Sequence, residues 1–472
     1  MNFIEEKLED LKKSNISSIN LHFTDMFGGF HTLSIPVSDF SADELSTRIP
    51  FDGSSIPGFK SVENGDMALK PDFDTIFPYS LSDDENEVGI ICDIVEADSG
   101  KEIITSPRAI LKRAEELIRN ELNAKTLWLP EPEFYLFDDV LCFNDELTAM
   151  YKFRMLEAMN EDNPSLKNPR VSKKGGYHLS LPADRGYHFR NELTKNLNKL
   201  GINIRYHHHE VGAAQNEIEM LPETSIKTAD NLMIFKFFAK ILAKHFDLAI
   251  TFMPKPLSDF PGSGLHFHQW LMSEGKSLFW DEHSKYAHLS EIALNYTAGL
   301  LYHSRALTTL TNPSVNSFKR LVPNFEAPTK LFFGIGNRSA AVRIPKYVDN
   351  KIDKCIEYRP PDFTCNPYLA ISGMILAGLD GIRKKLDPAK LGFGPFDENI
   401  DNWDDVRKNQ LQNLPNSLSE SANALLDDYE FLTDDGIFTE NMIKNYVKHL
   451  VDEQNELDKK ITPFEIEKYF EV

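Results

Sequence analysis

The stretch 207–219 reads HHHEVGAAQNEIE, three consecutive histidines followed by Glu210, Glu217 and Glu219. Imidazoles and carboxylates this close together suggest a metal site. Histidine runs also occur as loop and surface features, so the rest of the chain has to identify the ligands. One spacing recurs: functional side chains two residues apart, the period that puts them on the same face of a β-strand. Glu131 and Glu133 show it in PEPEF, Glu217 and Glu219 in NEIEM, His266 and His268 in LHFHQ, Glu357 and Arg359 in CIEYR. A single such pair usually marks the solvated face of an amphipathic strand. Four of them, in strands otherwise rich in Leu, Phe, Ile and Val, point to polar faces lining one cavity. Such a cavity would be strongly anionic and would need cations, because buried carboxylates without partners are costly. Oxygen ligands with one or two imidazoles suit Mg2+ or Mn2+ better than structural zinc. Two such ions side by side clamp a phosphoryl group in transfer.

Arginine is the second ingredient. Arg320, Arg338, Arg343 and Arg359 stand in FKRLVPNFEAP, GNRSAAVRIP and CIEYR, beside Gly, Pro and aromatic residues, as loops entering a cleft would. Guanidinium forks bind carboxylates and phosphates with two hydrogen bonds at once. The chain has no GxxxxGK[ST]: the EGKS at 274–277 lacks the upstream glycine, so a P-loop does not hold any nucleotide. No GxGxxG precedes a helix either, and GFGPF at 392–396 is a weak loop signal.

The elements that must position these residues can be read in outline. An amphipathic charged helix, MNFIEEKLEDLKKSN, opens the chain, without the apolar core of a signal peptide. ISSINLHFTDMFGGFHTLSIP predicts a hairpin turning near Gly28 and Gly29. VGIICDIVEADSG is a further strand, and FDGSSIPGF at 51–59 an irregular loop. Residues 1–104 therefore form a small strand-rich domain, and a larger domain occupies 105–472. The second begins at an N-capped helix, SPRAILKRAEELIRNEL, with Pro107 in its first turn. It alternates helices with the strands already named, includes one long apolar helix over 288–310, and ends in a charged helical tail from about 416.

Composition excludes several classes. With 472 residues, 41% hydrophobic and 26% charged, the chain is long enough for a large core and more than one domain. Its 51 Lys and Arg against 72 Asp and Glu leave a net charge of −21, which argues against a sequence-independent nucleic-acid binder. Cys92, Cys142, Cys355 and Cys365 are scattered with no CxxC spacing, so no disulfide framework is expected and a reducing, cytoplasmic compartment is the default. No apolar run approaches the length of a membrane span.

FDGSSIPGF, PEPEF, KGGY, HHHEV…QNE, GSGLHFH, NPSVNSFKRLVPNFEAP, NRSAAVRIP and IEYRPPD occur in the order found in class I glutamine synthetases. The chain resembles that family almost end to end. The resemblance implies an α+β fold: a small N-terminal β-grasp domain and a larger catalytic domain with a curved antiparallel sheet and surrounding helices. It also implies a homo-oligomer, a dodecamer of two hexameric rings, with each active site formed between neighbouring subunits. The implied activity is ATP-dependent joining of ammonia to L-glutamate through a γ-glutamyl phosphate, with two or more Mg2+ or Mn2+ per subunit. Glu133, Glu210 and Glu217 match one metal site of the family, and Glu131, His266 and Glu357 the other. Asp52 matches the ammonium-binding general base, and Tyr177 and Glu210 its companions. Arg320 and Arg359 match the glutamate-binding arginines, Gly262 lies in the glutamate-contacting loop, and Glu326 matches the flap glutamate. Arg338 and Arg343 match residues that meet the nucleotide phosphates, and His268 a nucleotide contact. His207 and His209 are expected in packing or hydrogen-bonding places, with His208 nearer the nucleotide.

The chain also departs from the family pattern. Cys355 stands where the family has Arg, Pro261 replaces the Asn of the NGSG loop, and Arg205 replaces an acidic residue before the histidine run. Trp270 stands where a small hydroxyl residue is usual, which would fill or restack an adenine pocket. A family lysine aligns with Ile352, with Lys351 and Lys354 close by. Asp401 occupies the place of the tyrosine that is adenylylated in some relatives, so that regulation is not expected. Two other readings stand beside glutamine formation: a sibling ligase that joins glutamate to another amine, and a non-catalytic homologue.

Overall fold

The structure is a computed structural model and describes residues 3–39, 48–60, 63, 65–79, 86–158, 167–323 and 325–472. Its first sheet is built from β1 (Ser18–Thr24), β2 (Phe30–Pro36), β3 (Ile49–Asp52), β4 (Asp66–Pro71), β5 (Phe77–Pro78) and β6 (Glu87–Glu96). The order is β2-β1-β6-β4-β3, with β5 also pairing β6 and β1 running parallel to β6. The expected hairpin is the β1–β2 pair, and Gly28 turns it with φ of +85°, a left-handed conformation that glycine adopts without strain. Ile19, Leu21, Ile90, Ile94 and Leu69 fill a separate small core beneath this sheet.

The second sheet carries the site. Its strands are β7 (Lys125–Phe137), β10 (Ile204–His209), β11 (Gln215–Met220), β14 (Leu265–Ser273), β16 (Lys330–Ile335), β17 (Ala340–Ile344) and β18 (Ile356–Tyr358), in the order β10-β11-β7-β14-β18-β17-β16. Between them in sequence, β8 (Asp139–Asn144) and β9 (Ala149–Arg154) form an outlying hairpin, and β12 (Glu223–Thr224), β13 (Ala249–Thr251) and β15 (Lys276–Ser277) are short additions. The sheet is curled and mixed rather than wholly antiparallel, because β16 and β17 pair in parallel.

Period-two alternation sorts its two faces. Trp128, Phe134 and Leu136 of β7, Ile218 and Met220 of β11, Phe267 and Leu271 of β14, and Ile356 and Tyr358 of β18 enter the large hydrophobic core. Helices Pro107–Leu122, Ser225–His245, Glu291–Tyr302 and Pro367–Arg383 contribute to that core from the other side. The alternate residues, Glu131, Glu133, Glu217, Glu219, His266, His268 and Glu357, are left for the opposite face.

The long apolar helix expected over 288–310 is two helices, Glu291–Tyr302 and Ser304–Thr311. They meet at His303, whose ring nitrogens bind Asp428 (2.8 Å) and Asp380 (2.9 Å). Arg108 ties the two sheets' layers together: the buried guanidinium donates to Asp72, Asp93 and Asp230 at 2.7–3.1 Å. Asp401 falls in the single turn Ile400–Asn402, and its side chain lies outside the described residues. No helix among the described residues is long and apolar enough to cross a membrane.

Candidate active site

Strand register brings the functional residues into rungs. His208 of β10 faces Glu217 of β11, which faces Glu133 of β7. Glu131 of β7 faces His266 of β14. His268 of β14 faces Glu357 of β18, which faces Arg343 of β17. These rungs line one cavity, closed by residues from the connecting loops. Glu131, Glu133, Glu210, Glu217, His266, Glu357, Tyr177, Gly262, Arg320, Glu326, Arg338, Arg343 and Arg359 all line it. Two expected site residues do not. Asp52 is exposed at the end of β3, and His268 is buried behind the wall.

The carboxylates cluster as a cation would require. Ligand atoms of Glu131, His266 and Glu357 lie within 4.8 Å of one another, the set expected for one metal. The Nδ1 atom of His266 is 3.3 Å from Glu131 Oε2 and 3.9 Å from Glu357 Oε1. For the other set, the structure groups Glu210 and Glu217 with His208, not with Glu133. His208 Nε2 is 3.7 Å from Glu217 Oε1, and Nδ1 is 3.9 Å from Glu210 Oε1. Glu133 instead accepts from the Gly264 amide (2.9 Å) and Gln215 Nε2 (3.3 Å). One histidine of the run, His208, thus sits among the candidate ligands, while His207 does not and His209 belongs to a separate group. His209 joins Glu157 and Asp184 in a buried group that its own partners already satisfy: Arg190 binds Asp184, and Ala214 N and Arg185 N donate to Glu157.

Electrostatics separate the two sets. Burial, then the charges of Glu217 and Glu133, push the Glu210 carboxyl well above its usual range. Burial, then Glu131 and Glu133, do the same to Glu217. Burial also opposes ionisation of Glu357, yet Arg359 and His268 hold it down to about 2. Arg359 Nη1 donates to Glu357 Oε1 at 2.6 Å, and Arg343 grips Oε2. One set already has cationic partners; the other is a group of mutually repelling carboxylates. Glu219 joins Glu131 and Glu217 within 4.8 Å; Arg205 pairs with its Oε1 at 2.5 Å, while Oε2 is buried without a hydrogen bond. Hard oxygen donors with a minority of imidazole fit Mg2+ or Mn2+.

The arginines share the cavity with the carboxylates. Arg320 is buried; its Nη1 donates to Pro360 O (2.7 Å) and Pro361 O (3.2 Å), and its Nη2 to Arg359 O (3.2 Å). Close packing of the PGSG loop demands glycine: a Cβ on Gly262 would fall 2.6 Å from Arg320 Cγ, and one on Gly264 2.4 Å from Arg320 Nη2. Arg338 reaches toward Tyr177 OH (3.5 Å) and Glu326 Oε2 (4.0 Å). Glu326 has φ of +56°, a left-handed conformation costing a non-glycine residue about 1–2 kcal/mol. The Glu326 carbonyl accepts from Arg359 Nη2 at 3.3 Å.

The cavity has further walls that the residue patterns did not single out. Gln215, Lys174 and Phe325 lie inside the QNE, KGGY and NFEAP motifs, so that signal was present; Tyr206 and Tyr347 carry no such signal. Trp270 does not fill the cavity. It packs behind it with Leu129, Met272 and Cys355, and its indole N–H donates to Asp353 O at 2.9 Å. Lys354 is buried and donates to Val348 O, while Lys351 is exposed; neither lines the cavity.

The family models for the glutamine synthetase β-grasp domain and the glutamine synthetase catalytic domain match residues 15–97 and 104–469. The chain belongs to the glutamine synthetase family. Relatives include a glutamine synthetase of Vibrio cholerae, 36% identical over 99% of this chain and 100% of that one. Another is a 3-hydroxylaminophenol mutase of Cupriavidus pinatubonensis, 37% identical over 99% of each. Among solved structures, a Plasmodium falciparum glutamine synthetase superposes with a TM-score of 0.89 at 30% identity, covering 99% of both chains. The first sheet is accordingly the β-grasp domain, and the curled mixed sheet with its helices the catalytic domain.

Proposed function

We propose that this chain is an ATP-dependent ligase that forms L-glutamine from L-glutamate and ammonia through a γ-glutamyl phosphate. What carries the reading is the meeting of two residue classes in one cavity of a glutamine synthetase-family fold. Carboxylates with His266 line it together with Arg320, Arg338, Arg343 and Arg359. A carboxylate resists attack by ammonia because its oxygens leave poorly and its charge repels nucleophiles. Converting it to a mixed anhydride removes both obstacles.

Glu131, His266 and Glu357 would hold one divalent cation, and Glu133, Glu210 and Glu217, with His208 alongside, the other. When bound, the two ions neutralise charge on the moving phosphoryl group and help align it. Arg338 adds positive charge where the phosphoryl group passes, and Arg343 faces the nucleotide phosphates. Arg320 and Arg359 orient the glutamate carboxylates. Glu326 closes over the intermediate and excludes water. Tyr177 and Glu210 receive ammonium, which must lose a proton before it can attack. Asp52 is assigned as the base. Because it is exposed and outside the cavity of its own chain, it acts on the cavity of a neighbouring subunit in the proposed dodecamer. A cytoplasmic location agrees with the four free cysteines.

A second reading has its own support in the relative named as a mutase: close similarity over the whole chain does not fix the reaction. One experiment separates them. Purified protein receives Mg-ATP and glutamate with ammonia, with a panel of small amines, or with 3-hydroxylaminophenol alone, while phosphate release and products are followed. Glutamine formed with ammonia supports the proposal. Turnover confined to another amine, or to the hydroxylaminophenol without ATP, overturns it.

A further inference from the structure

His268 is buried on the far side of Glu131 from the cavity, and each of its ring nitrogens has one partner. Nε2 is 2.9 Å from Glu131 Oε1, and Nδ1 is 3.8 Å from Cys355 Sγ. Trp270 lies alongside, its ring stacked toward the imidazole with centroids 6.4 Å apart. Cys355, Trp270, Leu129 and Met272 make a small apolar cluster around the thiol. Both Cys355 and Trp270 are departures of this chain from its family's pattern, and both flank the same histidine.

We infer that Cys355 is a positioning residue: lodged against Nδ1, its sulfur fixes the His268 ring so that Nε2 faces Glu131 and holds that carboxylate toward His266 and Glu357. The geometry leaves the imidazole little alternative. A ring flip would place carbon where each partner now meets nitrogen, and Trp270 limits tilting. His268 meets Glu131 at Oε1, which leaves Oε2, 3.3 Å from His266 Nδ1, turned toward the other two candidate ligands. Partners of this kind, one shell beyond the ligands, set ligand orientation and so cation affinity. The inference rests on the assignment of Glu131, His266 and Glu357 as cation ligands, but not on which amine the enzyme uses.

The test is a double-mutant cycle read by Mn2+ binding to full-length protein without substrates, with free ion counted by electron paramagnetic resonance. Cys355→Val keeps apolar volume and removes the contact to nitrogen. His268→Gln keeps an amide donor that can reach Glu131 without help from position 355. In the wild-type background Cys355→Val should weaken one of two classes of Mn2+ site by about 2- to 10-fold, the range of one net hydrogen bond. In the His268→Gln background the same change should alter neither class, because the residue it acts through is gone. Equal loss in both backgrounds, equal loss in both classes, or no loss in the wild type would each overturn the inference. If Cys355→Val does not fold, Cys355→Ala provides the same cycle. Because no step requires turnover, absence of glutamine formation would count against the proposed reaction and leave this result standing.

Discussion

Glu217→Gln should change stability with opposite signs in the presence and absence of divalent cation. Glu217 is buried on β11, within reach of Glu210, Glu131 and Glu133, and has no cationic side chain of its own beyond His208. Its carboxyl, like that of Glu210, is pushed up by burial and by neighbouring carboxylates. A carboxyl raised in the folded state gives stability that is complete below its unfolded pKa and is lost as pH rises through the folded one. The metal-free protein should therefore weaken from about pH 4.5 upward and be at a disadvantage at pH 8. A cation at 100 times its dissociation constant returns about 2.7 kcal/mol per site, so two sites return about 5 kcal/mol. Glutamine removes the charge, relieving about 1–3 kcal/mol in the metal-free protein, but forfeits one site. A kcal/mol shifts Tm by about 2–4 °C in domains of 150–250 residues and less in a larger chain. The assay is thermal unfolding in EDTA and in excess MnCl2, at pH 5.5 and pH 8. The variant should melt a few degrees above the wild type in EDTA at pH 8, and below it in MnCl2. A variant that melts lower in both buffers, or a wild type whose Mn2+ increment is the same at both pH values, refutes the electrostatic argument.

Arg108→Ala should cost about 3–5 kcal/mol, because it takes the guanidinium from Asp72 and Asp230 and leaves Asp93 to Lys112 alone; chemical unfolding measures it. Gly262→Ala drives a methyl into Arg320 and should raise the glutamate KM at least about 10-fold, with Mn2+ binding unchanged as the control. Asp52→Ala should cut ammonia-dependent synthesis about 100-fold or more while leaving Mn2+ affinity intact. Subunits carrying Asp52→Ala, mixed and reassembled with subunits carrying Glu217→Gln, should regain activity at roughly a quarter of the sites, since head-to-tail interfaces pair intact halves; no recovery would place Asp52 in its own chain's site.

Much of the catalytic wall could be read before any coordinates. Strands impose a period of two, so Glu131/Glu133, Glu217/Glu219 and His266/His268 declared a polar face against an apolar background, and β7, β11 and β14 are where they were expected. Periodicity says nothing about which strand lies beside which. The rung from Glu131 to His266 and the rung from His268 to Glu357 depend on register across strands far apart in sequence. The same ignorance of partners explains the misses. His208 and His209 are adjacent in sequence, yet alternation sends one toward Glu217 and the other into the Glu157 network. A mainly apolar stretch over 288–310 gave no warning of the break at His303, whose two partners, Asp380 and Asp428, come from elsewhere in the chain. The parallel pairing of β16 and β17 has no local signature either.

Asp52 shows a different limit. Its motif was among the most recognisable, and its local chemistry is well defined: Ser54 N, Ser54 Oγ and Ser55 Oγ all donate to the carboxylate, keeping it below its ordinary range. Those hydrogen bonds hold an ionised acid at the tip of β3, exposed and apart from the cavity it is meant to serve. Among the described residues β3 is also the edge of its sheet, paired on one side only. Edge strands left open are covered, charged or joined to another chain. A carboxylate presented from such an edge is placed to reach a second chain, and the proposed role of Asp52 as base depends on that reach. A motif match proposes a role, and the fold of one chain does not by itself bring Asp52 to the cavity where that role would be played. The Ser54 and Ser55 hydrogen bonds account for a fixed, ionised Asp52 carboxylate, and its place outside the cavity is why the proposed role as base calls for a second subunit.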